Sequence, residues 1–508
     1  MRVQLMYRDR DVATDGPFPW NEAELAADLD LPVVWAAMAG GDRFLYDVAR
    51  TSCLANVDDP AAIAYRQDVL ADCRAQPDVA RQLYQIATDA LAAERRIYGF
   101  LRQTPSGVLR RSVEALEMLV EHLRQLRRLA EDGAGAVGSE GLRAFFSMVG
   151  RELDDAYFET VADHLKRLRF RNGLWMSAGL GEGSRGAGYV LRVPGGAQKG
   201  WKERVGLAAP TSYAFEVAPR DEAGHRALGE LSDRGINLVA NALAQSTDHI
   251  LSFFSQLRSE AGFYVGCLNL ESELAARGRS LCVPEPLPPD AGAMAATDLF
   301  DVALALRTGE PVVGNDLAGD GKSLVVVTGA NSGGKSTFLR SVGLAQLMMS
   351  CGMGACAGSY RASVCGGLVT HFPREEDTAM ESGRFDEELS RMSTVVDHLT
   401  GNGLLLLNES FAATNEWEGS EIARQVVHAL VESGTRILYV THLFNLADSL
   451  RAEGDPAHLF LRAERAEDGR RTFKIGEGAP LSTSFGADLY EKLGGWGPPV
   501  PAAARSPR

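Results

Sequence analysis

The sequence predicts a mainly helical chain that ends in an α/β domain, and three observations predict it. Between residues 28 and 165, apolar residues recur at spacings of three and four. A Gly-rich, strand-prone stretch from Lys166 to about Val217 then breaks the helical texture. Beyond the proline-rich Pro284–Gly292, short apolar runs alternate with helical ones, as in a parallel sheet covered by helices. The expected boundaries are a helical region over 1–165, a β-rich basic insert over 166–217, returning helices over 218–290, an α/β domain over 291–493 and a disordered tail over 494–508.

At 508 residues the chain is long enough for two to four units, and 45% hydrophobic and 23% charged residues are ordinary for a globular protein. The net charge of −15 means that any contact with nucleic acid has to be local. The seven cysteines are scattered, odd in number and without a CxxC pair, so reduced structural thiols in a reducing, cytoplasmic setting are expected. The polar start MRVQLMYRDRDVATDG has no signal-peptide core, and no run of 18 apolar residues occurs.

The helical pattern is clearest in VLRRSVEALEMLVEHLRQLRRLAED, where Val113, Leu116, Val120, Leu123 and Leu126 make one apolar stripe. Glu131–Gly141, with its glycines, ends that helix. GYVLRV reads as a strand within the insert, and helical periodicity returns at His225. Pro284–Gly292 reads as a linker or domain edge. SLVVVTGA, GLLLLNE and TRILYVTH read as buried parallel strands. VGLAQLMMSCGMGACAG, from Val342, reads as a buried helix and loop. His458–Gly478 reads as a hairpin turning at Asp468-Gly469.

GANSGGKST follows the first of those strands and opens a helix. It matches GxxxxGK[ST], in which glycines let backbone N–H groups close around phosphates. The expected nucleotide-binding residues are Gly329, Ala330, Asn331, Ser332, Gly333, Gly334, Lys335, Ser336 and Thr337. Lys335 can reach the β and γ oxygens, and the Ser336 hydroxyl can hold Mg²⁺; ATP and Mg²⁺ are the implied ligands. The next strand ends in Asn408-Glu409. Glu409 suits a general base for an attacking water. Asn408 stands where such sites carry an aspartate; it keeps a carbonyl acceptor for the metal but no charge. His442, after the third strand, can sense the γ-phosphate. The predicted catalytic residues are therefore Glu409, Lys335 and His442, and the predicted metal residues are Ser336, Asn408 and Glu409.

Four segments in this order resemble the MutS family of DNA mismatch-repair ATPases. GANSGGKSTFLRSVGLAQLM resembles the family's GPNMGGKST loop and helix. NESFAATNEWEGSEIA resembles DEIGRGTSTxDGxxIA, and YVTHLFNLAD resembles the THYxEL segment. STSFG, Ser482–Gly486, resembles KSYG. The resemblance implies core and lever helices followed by an ABC-like P-loop ATPase domain, with Glu409 as the family's catalytic glutamate and His442 as its histidine. Thr414, Glu418 and Gly419 fall on the family's Thr, Asp and Gly. There are departures. Asn408 replaces the family's Asp, and GRFDEEL replaces the STFMxEM loop that completes a partner's site, keeping Phe385 and Glu388 but placing Gly383-Arg384 on Ser-Thr. No mismatch-reading Phe-x-Glu precedes the ATPase region, and the short tail leaves the helix-turn-helix segment missing or reduced. A short form without the mismatch-recognition domain is the expectation.

Nine basic residues, Lys166, Arg167, Arg169, Arg171, Arg185, Arg192, Lys199, Lys202 and Arg204, face only Glu182 and Glu203, a net +7. Trp175, Tyr189 and Trp201 lie among them. Such a stretch engages DNA phosphates by charge, or is a solvated hairpin; the resemblance places the family's DNA clamp there. The expected function is ATP binding with slow hydrolysis, coupled to clamping on mismatched, branched or distorted duplex DNA by a homodimer joined through its ATPase domains. The alternative is a nucleotide-gated module that hydrolyses little and acts on a protein partner. A transporter or chromosome-segregation ATPase would carry an LSGGQ-like signature, which the sequence lacks.

Overall fold

The computed structural model describes residues 1–13, 16–97, 104–171, 173–184, 186–192, 216–374, 383–466 and 470–481. It divides into two compact units: one of Met1–Gln4, Asp78–Gly138 and Leu142–Ala261, the other of Leu5–Pro77, Ser139–Gly141 and Gly262–Arg508.

The first unit is built on helices α5 (Pro77–Arg95), α6 (Pro105–Gly133), α7 (Glu140–Glu152) and α8 (Asp155–Leu168), taken where they lie within it. Pro105 sits in the first turn of α6, where its missing N–H costs nothing, and the Thr104 hydroxyl accepts from Gly107 N–H at 3.2 Å. The stripe Val113, Leu116, Val120, Leu123 and Leu126 is buried. Each such side chain contributes roughly 1.5–3 kcal/mol by leaving water. The Asp154 carboxylate caps α8 by accepting from Tyr157 N–H, and Lys166 and Arg167 complement the dipole at its other end. Strands β1 (Met176–Leu180) and β2 (Gly186–Leu191) then form an antiparallel hairpin with little burial. Helix α9 (Glu222–Ala275) starts three residues before the expected point and runs for 54 residues; Ala261 is its last residue in the first unit.

The second unit contains a six-stranded sheet in the order β12-β11-β6-β10-β9-β8. These strands are β6 (Leu324–Gly329), β8 (Leu368–His371), β9 (Leu404–Asn408), β10 (Arg436–Val440), β11 (His458–Arg465) and β12 (Arg471–Glu477). The three strands read from the sequence are β6, β9 and β10. They lie side by side in parallel and are buried on both faces, which is why they read as unbroken apolar runs. Leu324, Val326, Leu405, Leu407, Ile437 and Tyr439 form one core. The expected terminal hairpin is the antiparallel pair β11 and β12; its turn at Asp468-Gly469 lies outside the described residues.

Two arrangements differ from the segments drawn on the sequence. First, the 1–165 segment divides between the units. Helices α1 (Glu22–Asp28), α2 (Leu31–Ala39), α3 (Arg43–Leu54) and α4 (Pro60–Ala75) belong with the α/β sheet. The reason lies in long-range packing. A Cβ at Gly343 would come within 2.8 Å of Leu29, so Leu29 fills the notch that this glycine leaves. Fully buried Arg66 donates to the Met6 and Cys351 carbonyls, and Gln67 donates to the Pro284 carbonyl. Second, Pro284–Gly292 is not a linker. It carries β3 (Glu285–Leu287), which pairs in parallel with β7 (Ser359–Ser363), inside a second sheet of order β3-β7-β4-β5. β4 (Met294–Leu299) and β5 (Asn315–Ala318) complete that sheet, with the short helix α10 (Val302–Arg307) between them in the chain.

The stretch from Val342 is the buried second half of α11 (Lys335–Ser350) and a buried loop, as expected. All seven cysteines are free thiols; Cys282 is half-buried and the other six are buried. No helix among the described residues is long and apolar enough to cross a membrane.

Candidate functional site

The site lies where three parallel strands end. Val440, the last residue of β10, is in register with Asn408 of β9 and Val327 of β6. The loops after these strands therefore open on one edge, where α/β sheets generally bind ligands. The loop 330–334 joins β6 to the N-terminus of α11. It is tightly fitted. Gly329 has φ +112°, and a Cβ there would stand 2.9 Å from the Ala463 backbone nitrogen of β11. Gly334, with φ +91°, turns the chain into α11, and Ser332 takes a left-handed φ of 57° without being glycine.

Lys335 is buried, and its Nζ donates to the carbonyls of Gly329 at 3.0 Å and Ala330 at 3.1 Å. Burial holds its pKa below the usual lysine value, against the opposing pull of Glu409. Ser336 Oγ donates to Asn408 Oδ1 at 2.9 Å, so two of the three residues predicted for the metal meet. Both offer hard oxygen atoms and neither carries charge. They fit Mg²⁺, which keeps several waters and takes phosphate oxygens as ligands. Glu409 N–H donates to the Val440 carbonyl at 2.7 Å, and His442 Nδ1 lies 3.8 Å from Glu409 Oε2. A cavity of about 830 Å³ is lined by the loop from Asn331 to Thr337, by Glu409 and His442, and by a shelf of Pro311, Val312, Val313 and Phe473.

Glu409 and Phe411 both have left-handed backbones, at φ 53° and 64°. Neither residue type favours that region, and the neighbours hold the turn in place. Phe411 N–H donates to Glu388 Oε1 at 2.5 Å, and the Tyr439 hydroxyl donates to the Ser410 carbonyl at 2.5 Å. Ser410 Oγ donates to the His371 carbonyl at 3.0 Å. With its one proton committed, it accepts from His371 Nδ1 at 2.7 Å, which puts a proton on Nδ1. Burial, with Arg391 nearby, lowers the His371 pKa to about 4. Sequence reasoning missed His371, Ser410 and Tyr439. Their only signal was place: Ser410 follows Glu409, and His371 ends the buried strand β8.

Thr414 Oγ1 donates to Glu418 at 3.1 Å. A Cβ on Gly419 would meet the Phe411 carbonyl oxygen at 2.3 Å, so only glycine fits beneath the turn.

The basic residues are less gathered. Lys166, Arg169 and Arg171 line one surface cavity with Arg124. Arg169 pairs with Glu117 at 2.5 Å, Arg167 with Asp163 at 2.6 Å, and Arg192 donates to Ser177 Oγ at 2.8 Å. Trp175 is exposed. Arg185, Lys199, Trp201, Lys202 and Arg204 lie outside the described residues, as do Ser482–Gly486 and the tail.

Comparison with known proteins defines the class first. Residues 58–277 match the MutS2 N-terminal domain, and residues 325–494 match MutS domain V. The DNA mismatch repair protein MutS of Myxococcus xanthus is 31% identical over 206 residues, 39% of this chain and 23% of the relative. MutS of Porphyromonas gingivalis is 30% identical over 249 residues, 47% of this chain and 27% of the relative. The probable mismatch repair protein Msh6 of Drosophila melanogaster is 36% identical over 125 residues, 25% of this chain and 10% of the relative. The chain thus belongs to the MutS family, and it spans about a quarter of the length of the two bacterial relatives.

Proposed function

We propose that this chain is an ATP-dependent DNA-binding protein of the mismatch-repair type with a slow nucleotide cycle. The observation that carries the reading is that Lys335, Ser336, Glu409 and His442, from the ends of three strands, line one cavity, with Asn408 bonded to Ser336. In this reading residues 291–493 are a P-loop ATPase domain of the ABC-like kind. Residues 329–337 hold the triphosphate. Lys335 leaves the carbonyls of Gly329 and Ala330 to meet the β and γ oxygens. Ser336 and Asn408 would hold Mg²⁺ with Glu409 nearby, and the ion would neutralise phosphate charge. Glu409 takes the proton of the attacking water, and His442 meets the γ-phosphate. The basic side chains from Lys166 to Arg204 supply salt-sensitive contacts to duplex DNA of branched or distorted form. Two copies joined through their ATPase domains would couple nucleotide to the clamp, in the cytoplasm.

Steady-state ATP hydrolysis, with and without linear and branched duplex, tests this. Turnover that changes with DNA is expected; turnover indifferent to every duplex would remove the coupling. A second reading is favoured by the uncharged Ser336–Asn408 pair. In it the chain binds ATP, hydrolyses almost none, and gates a protein partner. ATP binding without turnover, with or without DNA, would select that reading.

A further inference from the structure

Glu409 and His442 line a second cavity, of about 270 Å³, as well as the one that holds the phosphate loop. The pair is therefore the wall the two cavities share. No residue of the phosphate loop lines the second cavity; Arg374, Arg384 and Arg391 do. Arg391 is half-buried and donates to the Phe372 carbonyl at 3.0 Å. Burial and the neighbouring Arg374 depress its pKa, a sign of two guanidinium groups crowded together. Arg374 pairs with Glu24 at 2.5 Å. The same cavity is lined by Glu387 and Glu388, and burial raises the Glu388 carboxyl. Cationic donors and carboxylate acceptors thus face one small space.

We propose that this second cavity is a site for inorganic phosphate, the product of hydrolysis at the first. The proposal rests on the ATPase reading above for where the phosphate comes from. In hydrolysis the water oxygen bonds to the γ-phosphorus and the bridging P–O bond breaks, leaving its electron pair on ADP. The water proton passes to Glu409. The freed phosphate then stands beside the one wall that opens on the arginines. Its oxygens accept from guanidinium groups, which suit a tetrahedral oxyanion. Near neutral pH phosphate also carries O–H groups, which the carboxylates can accept. Sulfate has the same shape and no proton to give, so the mixed lining selects phosphate over sulfate.

The test is calorimetric titration of inorganic phosphate into the full chain carrying Lys335→Ala, which removes the phosphate loop as a competing site. Phosphate is expected to bind, sulfate at least fivefold more weakly. Adding Arg391→Ala should weaken phosphate about tenfold. Arg384 is exposed, so Arg384→Ala keeps the question open where a melting curve shows that Arg391→Ala has not folded. No phosphate binding, equal binding of sulfate, or unchanged affinity in folded arginine variants overturns the site. In the wild-type chain, added phosphate should lower kcat without raising KM for ATP, and Arg384→Ala should relieve this. A chain that binds phosphate at the arginines but hydrolyses no ATP would sink the ATPase reading and the product role together, leaving the anion site. A chain that hydrolyses ATP without binding phosphate there would sink the site alone.

Discussion

The strand-end site and the basic hairpin region hold their polar groups in opposite ways. Around Glu409 the functional atoms are fixed by backbone: strand ends in register, left-handed turns at Ser332, Glu409 and Phe411, and a buried Tyr439–Ser410–His371 network. At the end of α8 and around β1 and β2 the basic side chains are exposed, and Arg169 and Arg167 are matched by Glu117 and Asp163. The difference teaches what each region can do. Chemistry on a reacting atom needs groups placed in advance, at the cost of strain. Attraction to a polyanion needs only charge that can rearrange, and it acts without fixed geometry.

The strongest way to break this contrast is at Glu409. Glu409→Ala should lower kcat by roughly 10²–10⁴-fold, the usual worth of a positioned general base. Glu409→Gly, which accepts the left-handed φ, should be equally inactive yet fold at least as well. Steady-state turnover with thermal melting separates the lost chemistry from the lost shape.

Next comes the buried network. The folded pKa of His371, about 4, lies below its usual 6.5, so the unfolded chain takes up the proton first as pH falls. The stability His371 permits is whole above about pH 6.5, declines as pH falls through the interval to about 4, and changes no further below that. The full shift is of order 3 kcal/mol. His371→Gln should flatten this part of a melting-temperature profile, and an unchanged slope would move the titration elsewhere.

Smaller effects sharpen the comparison. Asn408→Asp should keep turnover and lower the Mg²⁺ concentration needed for half-maximal rate by roughly tenfold, about what one added charge contributes in a partly exposed site. A Mg²⁺ titration of the rate reads it. Smallest is Lys166→Ala, at the end of α8 ahead of the hairpin. It should weaken duplex binding a few-fold for every sequence and reduce the slope of log affinity against log salt by about 1. Sequence-selective loss would contradict a purely electrostatic surface.

The sequence was most legible where local pattern and final environment agree. β6, β9 and β10 are apolar throughout because both faces are covered, and the loop between β6 and α11 is a fixed arrangement of glycines around Lys335. What stayed hidden depends on partners far along the chain. Helices α1 to α4 look like those that follow them. Contacts such as Leu29 against Gly343, Arg66 against the Cys351 carbonyl and Gln67 against the Pro284 carbonyl show which unit they join. His371 and Ser410 are 39 residues apart, and nothing local to either announces their bond.

The buried cysteines turn the chain into its own stopwatch. Burial pushes the thiols of Cys73 and Cys365 up to about 12 and about 11, and it raises those of Cys267 and Cys356 well above the usual thiol value too. At pH 8 these groups are almost wholly protonated and unreactive until the segment around them opens. Cys282, half-buried, should react first with a thiol reagent and the rest afterwards. The later labelling then times the opening of each neighbourhood, with no probe added to the protein.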